Sequence, residues 1–265
     1  MMFRPVSTFL VILPSVLVAR IYQIQYRCNE SDTERVREVI DSRLEVLEAA
    51  VVEEFDNDFE GVHRQSISFK APAELNDLMG NLFRFRGSFA LVPVVPVGEA
   101  VPEVETSPEV RVVPDEAEDC WFIVGDGMYR IIQGGAYWGL DPTEGRDESW
   151  MRHFYLLDTE EALELDGKIA DIDLVDDTPE PYISVNLRDE YAPELEDLTR
   201  DNLGRRLALI VDDDEVVATI AVNAVMENGQ FKIEFLRDDI GTLLWVWLSN
   251  APLPESYSLA AVGSG

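Results

Sequence analysis

Thr199-Arg200-Asp201-Asn202-Leu203-Gly204-Arg205-Arg206-Leu207-Ala208-Leu209-Ile210-Val211-Asp212-Asp213 is the stretch whose reading decides the fold. It holds a helix end, a turn and a strand in fifteen residues. Gly204 marks the helix end, because a left-handed C-terminal cap costs glycine least. Leu207, Leu209 and Val211 then alternate with their neighbours, the period of a strand. Upstream, Ile183, Val185 and Leu187 alternate with Ser184 and Asn186, and a helix from about Asp189 to Asn202 follows. Downstream, Asp212-Asp213-Asp214-Glu215 turns the chain into a second strand carrying Val216, Ala218, Ile220 and Val222. Phe231, Ile233 and Phe235 alternate again, and a helix from about Asp238 to Ser249 closes the series. Leu243-Leu244-Trp245-Val246-Trp247-Leu248 is apolar nearly all round, so most of its faces should be buried. Strand, helix, hairpin, strand, helix predicts an α+β unit with an antiparallel sheet and helices on one face.

The front of the chain carries a second pattern. Tyr22, Ile24 and Tyr26 alternate with Gln23 and Gln25. Ser31-Asp32-Thr33-Glu34 reads as a capping box, followed by a helical stripe of Val36, Ile40, Leu44, Leu47 and Val51. Ser66 to Lys70 alternates, a short helix is expected from Glu74 to Phe83, and Ser88 to Val95 reads as a strand. This order predicts a small ferredoxin-like base unit ahead of the second unit. Between them, Pro93, Pro96, Pro102, Pro108 and Pro114 remove backbone donors, which predicts an extended linker. Trp121 to Val124 and Met128 to Ile132, joined through Gly125-Asp126-Gly127, read as a hairpin, and residues 141–150 as polar loop. The expected division is 1–20 as a signal peptide or degenerate anchor, 21–97 as base, 98–152 as linker with a hairpin insertion, 153–257 as head and 258–265 as tail.

Charge narrows the function classes. The 265 residues carry 52 Asp and Glu against 21 Lys and Arg, a formal net charge of −31. Such a surface repels phosphate backbones, so the reading excludes nucleic acid as a partner, and anionic membrane surfaces with it. A hydrophobic fraction of 46% is enough to build a core. The charge is uneven: residues 1–100 hold 15 acidic and 10 basic residues, a net −5, and residues 101–265 hold 37 and 11, a net −26. Lysine supplies three of the basic residues, a bias that a salt-rich or extracytoplasmic setting favours and that an arginine-rich genome would also give.

At the N-terminus, Arg4 precedes an apolar run from Thr8 to Ala19, too short to span a bilayer. It fits the apolar core of an export signal ending at Ala19, or an anchor; the other reading is a first strand running into Ile21.

Residues from about 154 to 257 are similar to the head of the first periplasmic domain of SecD, a subunit of the SecDF protein-export complex. Five pieces occur in order: the turn Leu165-Asp166-Gly167, the helix end Thr199-x-x-Asn202-x-Gly204-Arg205, the strand Leu207 to Asp212, the strand from Gly229 to Ile233, and the close Leu253-Pro254. The front resembles the base of the same domain through Ile40-Asp41-Ser42-Arg43-Leu44, Phe69 to Pro72 and Gly87 to Leu91. Asp213 stands where the family has glycine, Ala218-Thr219-Ile220 stands where it has a proline, and Glu234 replaces a second glycine. The sequence ends about ten residues beyond Pro254, ahead of the family's membrane-spanning channel half; this reading expects no proton-driven motor in it. The resemblance implies a non-catalytic module that contacts unfolded or translocating polypeptide, or export machinery at the membrane. It also implies structural roles for Gly167, Thr199, Asn202, Gly204, Arg205, Asp212, Gly229, Leu253 and Pro254.

Other chemistry is weakly supported. Asp171, Asp173, Asp176 and Asp177 alternate as calcium ligands do, without the glycine and closing glutamate of a hand-type loop. Asp212 to Glu215 form a second acidic cluster, read as a solvated hairpin tip. Glu160-Glu161 and Asp189-Glu190 read as charges at helix N-termini rather than an acid–base pair. Cys28 and Cys120 have no CxxC partner, which excludes a zinc site and leaves a disulfide or two thiols; His63 and His153 read as structural or surface residues. No nucleophile elbow, phosphate loop or dinucleotide fingerprint occurs. The sequence therefore predicts no catalytic residue, no metal and no cofactor, with an extracytoplasmic hydrolase using paired carboxylates, or a soluble cytoplasmic interaction protein, as the alternatives.

Overall fold

The computed structural model describes residues 19–47, 49–59, 62–72, 82–125, 127–132, 135–139, 151–175, 178, 181–213, 215–234 and 238–264. The apolar run 1–18, most of the expected helix 74–83, the loop 141–150, Asp176, Asp177 and Phe235 lie outside these residues.

The chain opens with β1 (Ala19–Asn29), α1 (Thr33–Val46), β2 (Ala50–Phe59) and β3 (Val62–Pro72). It continues through β4 (Phe89–Pro93), β5 (Val104–Thr106), β6 (Arg111–Asp115), β7 (Cys120–Val124), β8 (Tyr129–Ile131), β9 (Ala136–Gly139) and β10 (Met151–Leu156). There follow β11 (Leu163–Glu164), β12 (Ile169–Val175), β13 (Tyr182–Leu187), α2 (Ala192–Asp201), β14 (Arg206–Val211) and β15 (Glu215–Ala221). β16 (Gln230–Glu234), α3 (Asp238–Leu248) and β17 (Ser258–Ser264) complete it. The α+β class read from the sequence holds.

The first sheet has the order β17-β1-β3-β2, with every neighbouring pair antiparallel. With α1 after β1 and α3 before β17, this is the ferredoxin-like order. The fourth strand, however, comes from residues expected as a tail. Six register pairs, Tyr22↔Ser264 to Arg27↔Ser258, tie that strand to β1. The expected base strand at 88–95 goes elsewhere: β4 pairs with β14 and β11 in an eight-stranded sheet, order β11-β4-β14-β15-β9-β10-β7-β6. Everything from β4 to β16 is thus inserted between the third strand and the last helix of the ferredoxin-like order. β12-β13-β16 form a third sheet and β5-β8 a small fourth one.

Local chemistry explains the departures. The capping box at Ser31 does not form; Glu30–Asp32 is a 3₁₀ turn, and the Asp32 carboxylate is taken by the Ser256 hydroxyl at 2.5 Å. Val51 is not on the helix. It lies on β2, an edge strand with Val52 and Phe55 exposed, whose acidic composition hid it from a periodicity reading. The 98–152 segment is no bare linker, since it supplies β5 to β9. β7 and β8 do not form a hairpin: β7 pairs with β6 and β10, and β8 with β5. Gly125 (φ +123°) instead lets two backbones cross, since a Cβ there would lie 2.2 Å from the Glu109 carbonyl oxygen, and Gly127 leaves room for the Ser107 and Val110 side chains.

One core runs through both parts of the molecule. In the front part, Tyr22, Ile24, Tyr26, Ile67 and Phe69 of the sheet face Val36, Ile40 and Leu44 of α1. The same cluster continues through Phe89, Leu91, Leu207, Leu209, Val185, Phe231 and Trp247. The opposite face of β4 and β14, with Ala90, Val92, Ala208 and Ile210, enters a second cluster with Cys120, Tyr155 and Leu157. Burial on both faces is why β4 reads as an unbroken apolar run.

Candidate functional site

The nine motif residues gather mainly at two places. The first is the loop 82–89, which leads into β4. Arg43 of α1 is fully buried and its guanidinium donates to three carbonyls: Leu82 at 2.7 Å, Phe85 at 3.0 Å and Arg86 at 2.5 Å. Burial pulls its pKa down to about 10, against the field of Asp212 and Tyr257. Asp212, at φ +53°, accepts from the backbone N–H groups of Arg86, Gly87 and Ser88 at 2.5, 3.0 and 2.9 Å. A carboxylate facing three successive N–H groups fastens the loop 86–88 to the end of β14; Asp213 shares the left-handed conformation at φ +56°. Leu253 is buried and its N–H also reaches the Arg86 carbonyl, while the carbonyl of buried Pro254 accepts from Tyr257. Asp166 accepts from the Ser88 hydroxyl at 2.6 Å and from the Phe89 N–H, and Gly167 (φ +70°) completes that turn. Beside these contacts lies a cleft of about 410 Å³ lined by Gly87, Phe89, Gly167, Ile172, Trp247 and Pro252. Trp247 is the core member of the tryptophan pair; Trp245 is half-buried against the core.

The second place is the C-terminus of α2. Thr199 is fully buried; its hydroxyl donates to the Leu195 carbonyl at 2.8 Å and accepts from the Met226 N–H at 3.0 Å. Asn202 donates to the Leu198 carbonyl at 2.9 Å and its own carbonyl receives the Arg205 N–H. Gly204 and Arg205 exchange backbone bonds with Val222: the Gly204 N–H donates to the Val222 carbonyl and the Val222 N–H to the Arg205 carbonyl, both at 2.9 Å. Gly229, at φ +69°, packs where a Cβ would stand 3.1 Å from Ala192 Cβ. The 222–229 connection is therefore fastened to α2, and beside it opens a slot of about 370 Å³ lined by Thr219, Ala221, Met226, Phe231, Lys232 and Glu234. The Lys232 ammonium sits 4.2 Å from the centre of the Tyr182 ring. The Arg205 side chain stands apart from this, in an exposed pair with Glu99.

The other candidates are dispersed. Asp171 and Asp173 lie exposed on β12, Asp212 is committed to backbone N–H groups, and Glu215 pairs with Arg84 at 3.2 Å. Among the described residues no group of three or more His, Cys, Asp or Glu side chains is placed to hold a metal. Glu160 and Glu161 lie in a 3₁₀ turn capped by Asp158, and Asp189 and Glu190 in a 3₁₀ turn before α2, as helix-start charges. Cys28 and Cys120 are both buried, lie in different core clusters and are not joined by a disulfide. His63 is buried opposite Cys28, and His153 packs between Phe122 and Tyr155. Among the described residues no helix is long and apolar enough to cross a membrane.

Sequence reasoning missed the slot and the buried clamp. Arg43 was visible only as one letter of a common motif; its role depends on a loop 39 residues away.

No protein-family model matches the chain, and no curated protein sequence matches it. Solved structures do. A crystal structure of SecDF in a super-membrane-facing form is similar over 94% of this chain and 30% of that one, at 17% identity and a TM-score of 0.54. A structure from work on SecDF as a membrane component that enhances protein export is similar over 90% of this chain and 98% of that one, at 18% identity and a TM-score of 0.50. The chain thus spans 30% of the length of the longer SecDF chain. What was read from five ordered motifs is matched in three dimensions: this chain has the fold of a part of SecDF.

Proposed function

We propose that this chain is a non-catalytic, extracytoplasmic module of protein export that binds unfolded polypeptide. Two units carry it. The base is the ferredoxin-like sheet with α1 and α3, and the head is the insertion from β4 to β16. The observation that carries the reading is the slot beside α2 in a chain with the fold of part of a membrane component that enhances protein export. Its walls mix apolar side chains with strand backbone, which suits a chain whose own backbone is unpaired. Attachment to the membrane or to export machinery, through the N-terminal run or the base, belongs to the same proposal.

The test is a titration of a labelled, permanently unfolded polypeptide against its folded parent, read by fluorescence anisotropy at physiological salt. Saturable binding of the unfolded form alone is the expected result, and equal or absent binding of both would refute the reading. Fractionation with N-terminal sequencing checks the location; an intact Met1 in the cytosol would count against it.

A further inference from the structure

We propose that Arg27 and Arg64, paired across β1 and β3 on the open face of the first sheet, form a binding site for a phosphate-class oxyanion. Its source is a free phosphate or the phosphate of a lipid headgroup, and two arms of one experiment separate these. The inference goes beyond polypeptide binding and stands independently of it.

Register defines the face. Along β1, Tyr22, Ile24, Tyr26 and Cys28 are buried in the core, so Ile21, Gln23, Gln25 and Arg27 point the other way. Along β3, His63, Gln65, Ile67 and Phe69 are buried, so Arg64, Ser66, Ser68 and Lys70 share that other face. The face stays open: Ile21, Gln23, Gln25, Arg27, Arg64 and Lys70 are all exposed.

Arg27 stands directly opposite Arg64 in the β1–β3 ladder. Opposed residues of an antiparallel pair have Cβ atoms about 5 Å apart, and like charges there repel. The Arg27 Nε donates to the Ser258 hydroxyl at 2.8 Å, which leaves both terminal nitrogens of that guanidinium. Among the described residues neither arginine makes an ion pair. Their neighbours on the same face, Gln25, Asn29, Ser66 and Ser258, are all neutral. The acidic side chain described on this face, Glu53, lies opposite Ser68, four residues or about 14 Å along the strand from Arg64. Elsewhere the chain opposes unlike charges, as with Glu105 and Arg130 across β5 and β8. In a chain with 52 acidic and 21 basic residues, two facing cations with no carboxylate beside them leave a place for an anion from outside.

Donor geometry selects phosphate over carboxylate. A carboxylate offers two oxygens in one plane, and a single guanidinium fork takes both. Two forks on adjacent strands reach one ligand from two sides, which suits the several oxygens of a tetrahedral phosphate. Gln25 and Ser66, opposite each other and two residues along, add neutral donors. The net charge of −31 repels anions at long range, but that field is screened beyond about 8 Å at physiological salt, so the local pair decides contact. A lipid surface would meet more of the face, since Lys70 and the exposed Ile21 and Phe55 lie on the same side.

The experiment uses the full chain. In the first arm, inorganic phosphate is titrated at constant ionic strength, with acetate as the carboxylate control, and backbone amide NMR shifts are read at residues 25–29 and 62–66. In the second, flotation is measured with vesicles of phosphatidylcholine, with and without phosphatidylglycerol. The variants are Arg27→Gln, Arg64→Gln, Arg27→Lys and Arg64→Lys, with Arg130→Gln as a charge-matched control; circular dichroism verifies folding. Arg64 makes no described side-chain bond, so its variants carry the test if Arg27→Gln disturbs β17. The expected result is saturable binding in at least one arm, and the arm that responds names the source. Binding weakens at least about tenfold in Arg27→Gln and Arg64→Gln, weakens measurably in the two lysine variants, and is unchanged in Arg130→Gln. Binding in neither arm, acetate binding as tightly as phosphate, or an equal loss in Arg130→Gln overturns the proposal. Full binding by both lysine variants overturns it too, because a point charge would then suffice. Polypeptide binding is untouched by any of these outcomes.

Discussion

Arg43 and Asp212 hold the same residue from its two ends. The Arg43 Nη2 donates to the Arg86 carbonyl oxygen, and the Arg86 N–H donates to Asp212 Oδ2, each at 2.5 Å. Arg43 belongs to α1 and Asp212 follows β14, so one loop is fastened to the first helix on one side and to the large sheet on the other. Truncating Arg43 removes a buried guanidinium and its three hydrogen bonds; the Phe85 carbonyl loses its donor, while the Leu82 carbonyl keeps the Trp247 indole N–H and the Arg86 carbonyl keeps the Leu253 N–H. Arg43→Met should lower unfolding stability by about 3 kcal/mol or more in urea titrations. A loss below about 1 kcal/mol would mean that water or a relaxed loop satisfies the Phe85 carbonyl.

Gly87 and Gly204 separate two costs of a side chain at positive φ. At Gly87 (φ +90°) a Cβ would also lie 2.9 Å from an Arg43 guanidinium nitrogen, whereas at Gly204 (φ +78°) nothing stands within 4 Å. Gly204→Ala should cost about 1–2 kcal/mol from backbone strain alone. Gly87→Ala should cost clearly more, and double with Arg43→Met in a non-additive way. Equal costs for the two glycines would show that Arg43 yields without penalty.

Removing residues 258–265 should expose the long edge of β1, including the bonds now made by Tyr22 to Arg27. The truncated chain is expected to lose at least about 2 kcal/mol and to self-associate, because an unpaired edge is a template for another strand. Thermal unfolding and light scattering read the two effects; an unchanged midpoint would show that the base closes without its fourth strand.

Alkaline pH should destabilise the protein early. Burial pushes the Cys120 thiol up to about 12, and raises the phenols of Tyr26, Tyr155 and Tyr257 above their ordinary value. Each stays protonated in the folded chain after the unfolded chain has ionised, so its contribution is present at neutral pH and fades as pH rises past the unfolded value. Arg43 acts in the opposite sense, since its folded pKa is the lowered one. Four groups against one predict a midpoint that falls from about pH 9 upward. Cys120→Ser should delay the onset, and a flat midpoint to about pH 10.5 would refute the assignment.

Alternation and helical spacing made β1, β13 and the stripe of α1 legible, because each has one face in the core and side-chain period follows backbone period, while β14 and β15 were legible as short apolar runs that enter core clusters on both faces. Gly204 was legible too, since its conformation is a local property. β2 was not: an acidic edge strand buries little and leaves no apolar signal. Cys120 to Ile132 was misread because turn glycines and backbone-crossing glycines look alike in sequence.

The sequence alone determined the α+β class, the acidic character and the local structure around the five motifs, all of which depend on neighbours a few residues apart. Only the tertiary structure decided that the last strand completes the first sheet. It also decided that Arg43 and Asp212 meet at one loop and that β15 and β16 line one slot. Those are pairings across tens to hundreds of residues, and the hydrogen bonds and packing that select them exist only once both partners are in place.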